Sequence, residues 1–375
     1  MLGIFSGDTP FLPRIVPVVA DESRYAFTVI GKNSDDLLIL WHTPIEPWGV
    51  PNGTVDTLSD NIATNPETIA YAVAPSANEG AYALVEDAVH LPGEHFFVAV
   101  TPGMGGFSDI LQTQQPGEPR SRFIARRDDD IGGGFEHLVG YEMSEGDRRR
   151  LAVRIVSQTW GNPEHPLAAA CADAPIAATS VGAAGVFFIA AASSRALGQC
   201  DDPADAFGPP NRLQLTIYNK PLGQVLSLAA EWQESAPIEQ VELTPDGDAL
   251  WISYALADSP SKGRVRLLRV DLAGKVLAGP LDVATITRPA AFAAARLGSR
   301  LAIASREATE TGQTIVPVRV ITAAGEEALS FKIVPEAADE VAMVGEPNGK
   351  RLLVALTRKD PGAAHVVELL RYGCE

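Results

Sequence analysis

The sequence predicts an all-β chain, a seven-bladed β-propeller of four-stranded antiparallel blades whose ring is closed by the N-terminal strand completing the last blade. Three observations lead there. A short apolar run recurs seven times, beginning at Tyr25, Ala81, Glu136, Val186, Ala249, Arg300 and Arg351, and successive starts lie about 50 to 63 residues apart. That step fits multi-stranded repeats such as propeller blades. Strand and turn signals follow one order around each run, long amphipathic helical patterns are missing, and the 28 prolines are spread through the connectors. The last repeat ends one strand short, while the N-terminus carries a spare apolar segment at 2–5.

The fifth repeat is the clearest. Residues 238–243 read as a first strand, Pro245-Asp246-Gly247-Asp248 as a turn, and 249–255 as a second strand. Residues 264–271 (RVRLLRVD) alternate charged and apolar side chains, as a half-buried third strand should. A turn containing Gly274 follows, and 276–283 completes the unit. Gly and Asp suit these turns because they tolerate positive φ. Third strands are expected elsewhere at 36–42, 94–100, 149–156, 212–218, 314–321 and 365–372. First strands, rich in Ala, Val and Gly, fall at 15–20, 69–74, 122–125, 175–181, 290–295 and 340–345, and small residues suit strands crowded round an axis. A single domain then has blades at about 14–60, 66–113, 120–160, 175–231, 237–283, 289–334 and 339–375 plus 1–6. Pairing 1–6 with the last blade removes the exposed sheet edges that invite aggregation. Leu353, in the second strand of the last repeat, is expected between sheets.

The segments LTPDGDALWIS (243–253) and GEPNGKRLLVAL (345–356) resemble the repeat of TolB-type and WD40-like β-propellers, where a Pro-Asp-Gly or Pro-Asn-Gly turn joins the two inner strands. The resemblance covers two of the seven units; 182–185 and 297–299 replace that turn in others, and no Gly-His…Trp-Asp signature occurs. It implies the superfold and transfers no substrate, partner or catalytic residue, because propellers host unrelated functions.

Composition narrows the partners. The formal charge is −17, from 47 acidic and 30 basic residues. Such a surface repels phosphate backbones and anionic lipid, which argues against nucleic acid and membrane surfaces. No apolar stretch approaches the roughly 20 residues of a membrane-spanning helix. The abundance of Ala, and of Arg over Lys, reads as GC-rich bacterial coding. The start, MLGIFSGDTPF, lacks the basic and long apolar regions of a signal peptide. A periplasmic or secreted protein would have lost its leader, and a cytoplasmic location stays open.

In this strand order, the loops joining blades share a face with the loops between second and third strands. That connector face would include 59–66, 87–94, 113–119, 161–174, 196–211 and 232–237, of which 161–174 and 196–211 are the longest. Long loops are disproportionately functional. Cys171 and Cys200 fall in those two loops, either as a disulfide, which implies an oxidising compartment, or as unrelated thiols. Cys374 is left over. Asp201, Asp202 and Asp205 follow Cys200 and offer oxygen ligands of the kind Ca²⁺ takes; Asp128 and Asp130, ahead of Gly132–Gly134, make a second candidate on the opposite face. No other cofactor is predicted. His90 and His95 share one loop and His165 lies in a neighbouring one; converging on the axis, they would serve a metal or acid–base site. Trp160 and Trp232, near connectors, are candidates for stacking against a sugar, whereas Trp41 and Trp251 lie inside apolar strands and are expected to pack between sheets. No nucleophile elbow, Walker loop or dinucleotide fingerprint occurs. The expected function is therefore a non-catalytic binding or scaffold module presenting loops to a protein or glycan. The alternative is a metal-assisted hydrolase or lyase with its site at the channel mouth.

Overall fold

The computed structural model describes the strands given below, residues 175, 194 and 209–211, and all of 225–359 except 347; side chains are described mainly from 175 onward. Strand β1 is Gly3–Gly7. The first sheet holds β2 (Arg14–Pro17), β3 (Tyr25–Lys32), β4 (Leu38–Ile45) and β5 (Asp56–Thr57). The second holds β6 (Tyr71–Pro75), β7 (Ala81–Val85), β8 (Glu94–Val100) and β9 (Phe107–Gln112). The third holds β10 (Arg120–Asp128), β11 (Phe135–Glu145), β12 (Arg148–Ser157) and β13 (His165–Cys171). The fourth holds β14 (Ile176–Val181), β15 (Val186–Ser193), β16 (Arg212–Asn219) and β17 (Val225–Gln233). The fifth holds β18 (Ile238–Asp246), β19 (Ala249–Ala257), β20 (Lys262–Asp271) and β21 (Val276–Thr287). The sixth holds β22 (Phe292–Leu297), β23 (Arg300–Ser305), β24 (Glu307–Ala308), β25 (Thr314–Ile321) and β26 (Glu327–Ile333). The seventh holds β27 (Glu340–Gly345), β28 (Arg351–Lys359) and β29 (His365–Gly373), with β1 paired antiparallel to β29.

All pairings described are antiparallel, and in the first five sheets chain order is spatial order, while the seventh takes β1 as its fourth strand. The first strands touch in series, β2 to β6, β6 to β10, β10 to β14, β14 to β18, β18 to β22, β22 to β27, and β27 to β2. Among the described residues there is no helix, hence none long and apolar enough to cross a membrane.

The second strands begin where the repeat places them, with β11 one residue earlier, and β8 and β25 coincide with the expected third strands. Two expectations fail. Residues 161–174 are not a loop throughout, because β13 occupies His165–Cys171 and completes the third sheet. The run Pro-Leu-Ala-Ala-Ala, with Pro163 before it and Pro175 after it in sequence, is short and apolar enough to pair with β12. The sixth sheet has five strands rather than four, because the connection after β23 folds back as the two-residue β24 against β25.

The core lies between the sheets. All nine residues of β19 are buried because both faces of its sheet are covered. Leu250, Ile252, Tyr254 and Leu256 face the fourth sheet, beside Phe188 and Leu213, while Trp251 and Ala255 face the sixth, beside Leu301 and Ile303. Trp251 and Leu353 are thus inside, as their strands required, at 1% and 3% exposure. A second device locks neighbours together. The β20–β21 turn, 271–275, places Gly274 at φ +83° against Ala229 of β17, the extra residue of a bulge. The β25–β26 turn, 322–326, places Gly325 at φ +88° against Leu281 of β21. Asp271 Oδ1 accepts from the Ala273 and Lys275 amides, and Thr322 Oγ1 accepts from the Glu326 amide, so each turn carries its own cap.

Candidate functional site

Antiparallel order puts the blade-to-blade connectors and the second-to-third-strand loops at one end of the sheets. On the described part of that face, arginines tie down each connector. Glu234, in the connector from the fourth to the fifth sheet, is 8% exposed. It accepts from the Tyr254 hydroxyl at 2.6 Å and from an Arg266 guanidinium nitrogen at 2.7 Å. Arg266 also donates to both carboxylate oxygens of Asp282 on β21, at 2.6 and 3.0 Å. Arg264 reaches Asp258 and Asp282 from the same strand. These positions follow from the alternation of β20, whose Val265, Leu267 and Val270 are buried while Arg264, Arg266 and Arg269 stay at the sheet surface. At the other end of β20, Arg269 pairs with Asp246 at 2.9 Å and lies over the Trp251 ring.

The next connector is held by Arg288, which donates to Glu239 at 2.9 Å and to the Ser259 carbonyl at 2.6 Å. Arg306 donates to the Pro289 carbonyl at 2.6 Å and the Asp339 carbonyl at 2.9 Å, joining two connectors. Arg358 pairs with Glu336 in the second of them. Nearer the axis, Gln240 and Glu242 of β18 cross to β22: Gln240 donates to the Phe292 carbonyl at 2.7 Å, and Glu242 accepts the Ala294 amide at 2.7 Å.

The electrostatics match this arrangement. Burial, then the bond to Glu234, pushes the Tyr254 hydroxyl far above the usual phenol range, so it stays protonated and donates. The hydrogen bond from Arg266 holds the Asp282 carboxyl below its ordinary value. Chemically the set is a system of fasteners: each guanidinium is turned onto carboxylates and carbonyls of neighbouring segments, which fixes where the loops stand.

The sequence-predicted residues distribute differently. His90, Trp160, Asp130, Asp201, Asp202, Asp205, Cys200 and Cys374 lie outside the described residues. His95 is the second residue of β8, opposite Leu111. His165 is not in a connector loop: it opens β13 opposite Val153, half-way along β12, so its backbone does not share the connector end with His95. Cys171 ends β13 opposite Arg150, and Asp128 ends β10 opposite Phe135 at the first turn of its sheet. Trp232 lies within β17 opposite Leu213 and packs half-buried on the core, because that strand runs one residue past it. Among the described residues no three His, Cys, Asp or Glu side chains gather in a metal-holding group. The fasteners Glu234, Tyr254, Arg266 and Asp282 were not singled out from sequence; the signal available was the Arg-x-Arg alternation of β20.

The chain matches no protein-family model and no curated protein in sequence. In structure it is similar to the WD40 domain of SCAP from fission yeast, at 12% identity and a TM-score of 0.51, over 98% of this chain and 89% of that one. It is also similar to the fucose-recognising, six-bladed lectin of Aleuria aurantia, at 10% identity and a TM-score of 0.48, over 88% of this chain and 98% of that one. With the antiparallel sheets described above, the likeness to the WD40 domain makes the fold that of a β-propeller. At these identities, the likeness speaks to architecture alone.

Proposed function

We propose that the chain is a single seven-bladed propeller, closed by β1 on β29, that works as a non-catalytic binding or scaffold module. Its connector face presents loops to a protein or glycan. The supporting observation is the run of arginine fasteners, Arg266, Arg288, Arg306 and Arg358, that anchors each described connector from the fourth sheet to the seventh. A pre-positioned loop face lowers the ordering cost of binding. An extracytoplasmic location rests on a Cys171–Cys200 bridge, and a Ca²⁺ site on Asp201, Asp202 and Asp205 or on Asp128 and Asp130.

Labelled protein applied to glycan and peptide arrays tests the binding reading. Saturable binding is expected, lost when 196–208 is replaced by a Gly-Ser loop while the melting temperature holds. Metal-dependent turnover of ester, glycoside or phosphoester probes, with bound metal found by elemental analysis, would replace this reading with the hydrolase one. Closure has its own test. Deleting residues 1–12 should lower the melting temperature sharply, and an unchanged melting curve would rule out closure by β1.

A further inference from the structure

The sixth sheet ends at the rim in an exposed strand edge. Among the described residues, β26 pairs with β25 alone. Residues 327–330 and Lys332 are exposed, Leu329 by 43%, and Val334 just beyond the strand by 59%. The outer strands of the two preceding sheets are interrupted along their length. A bulge breaks β17 at mid-strand, and β21 has three irregularities and contains Pro280. Bulges and prolines of this kind keep a sheet edge from recruiting another strand. In β26 the one irregularity lies at the start, and the strand runs regularly from Leu329 to Ile333.

The side chains of β26 divide between two faces. Leu329, Phe331 and Ile333 stand opposite Val320, Val318 and Val316, on the face turned to the seventh sheet. Ser330 and Lys332 stand opposite Arg319 and Pro317, on the face turned to the fifth. The irregularity skips Ala328 and sets Glu327 opposite Ile321, which packs with the fifth sheet, so Glu327 shares a face with Ser330 and Lys332. Among the described residues Lys332 has no ion pair, and Glu327 has a loose one, with Arg319 at 3.7 Å.

We propose that β26 pairs antiparallel with β26 of a second copy of this chain, about a two-fold axis through Ser330. In that register the strand is its own complement. Ser330 meets Ser330 of the second copy, Leu329 meets Phe331 of the second copy on one face, and Lys332 meets Glu327 of the second copy on the other; the symmetry repeats the last two contacts. A lysine on a sheet edge ordinarily guards against pairing. Here the bulge brings round the carboxylate that answers it. Moving the axis to Phe331 would set Lys332 opposite Ser330 and leave both charges unanswered, so the register is specific. A seven-residue strand pair is smaller than a standard interface of about 800 Å² per partner, which places the association in the micromolar range. The rim stands apart from the connector face, so the dimer holds or fails independently of the loop-binding reading.

Sedimentation velocity of the full chain from about 1 to 200 μM should show a monomer–dimer equilibrium. Lys332→Glu, which sets like charges against each other, should weaken it by about tenfold or more, and the double variant Glu327→Lys, Lys332→Glu should restore it to within about threefold, with the melting temperature at low concentration unchanged. Mild oxidation reads the register. Opposed Cα atoms of an antiparallel pair lie about 4.5–5.5 Å apart, within disulfide reach, so Ser330→Cys should cross-link into a dimer. Ala328→Cys, more than about 10 Å from its own copy, should not. The mass of the linked peptide separates this bond from those of the native cysteines. A chain that stays monomeric over the whole range, a dimer indifferent to Lys332→Glu or not restored by the double variant, or cross-linking as strong for Ala328→Cys as for Ser330→Cys would each overturn the proposal.

Discussion

The fifth and sixth sheets occupy equivalent places in the repeat, yet their outer strands are fastened by different forces. In the fifth, β21 is clasped by charge: Arg266 holds Asp282 with two bonds and reaches on to the buried Glu234 of the preceding connector. In the sixth, β26 has one loose pair, Arg319 with Glu327 at 3.7 Å, both well exposed. What holds β26 is apolar. Phe331 packs against Tyr372 of the next sheet, with ring centroids 4.7 Å apart and planes tilted by 41°, and Ile333 is buried in the same cluster. The strand leaves Leu329 43% exposed. The repeat therefore fixes where a strand lies without fixing what secures it. The consequence is a difference in how the two sheets answer to salt and acid, which substitution can expose.

The largest effect should come from Arg266→Met. It leaves the Glu234 carboxylate, with a side chain only 7% exposed, facing the Tyr254 hydroxyl without its cation. Breaking a buried pair from one side costs about 3–5 kcal/mol, and the partial exposure of Arg266 puts the expectation near 3 kcal/mol by urea denaturation. Phe331→Ala should cost less, about 2 kcal/mol, because the ring is only half-buried and an aromatic pair adds about 0.5–1.5 kcal/mol beyond its area. Salt separates the two: in 1 M NaCl the part of the Arg266→Met loss that comes from the half-exposed Asp282 should be screened, while the part from the buried Glu234 and the Phe331→Ala loss hold. Equal responses to salt would mean that the two sheets are not fastened differently after all.

How far this was legible in sequence depends on the range of the interaction. Strand positions are local: the alternation of RVRLLRVD and Gly274 within 271–275 mark β20 and its turn without reference to anything distant. The capped turn even recurs, as Asp-Leu-Ala-Gly-Lys at 271–275 and Thr-Ala-Ala-Gly-Glu at 322–326. The fasteners are not local. Arg266 and Glu234 are 32 residues apart and meet only because one sheet packs on the next. No periodicity announces a buried carboxylate in a connector. Trp232 shows the same limit, since its proximity to a connector suggested exposure while its strand carried it onto the core of the neighbouring sheet. His165 was misplaced for a different reason. Pro166 and the alanines after it look like connector, and only pairing with β12 makes them a strand.

The smallest predicted effect isolates the charge of the clasp from its shape. Asp282→Asn keeps the volume and removes the carboxylate that Arg266 grips. The Asp282 side chain is about half exposed, so the loss at neutral pH should stay below about 1 kcal/mol. Its sign with pH follows from the depressed folded value. An Asp held below its unfolded value, about 3.9, contributes stability that is fully present above that value and disappears as pH falls through the folded one. The gap in melting temperature between wild type and Asp282→Asn should therefore be constant above about pH 5 and close as the pH drops below about 4. Phe331→Ala, measured beside it, should show a gap with no such closure, because neither Phe331 nor what it removes from Tyr372 titrates in that range. A gap for Asp282→Asn that persists in acid would mean that β21 is held by the geometry of the side chain, and the distinction between a charged fifth sheet and an apolar sixth would fail at its most direct point.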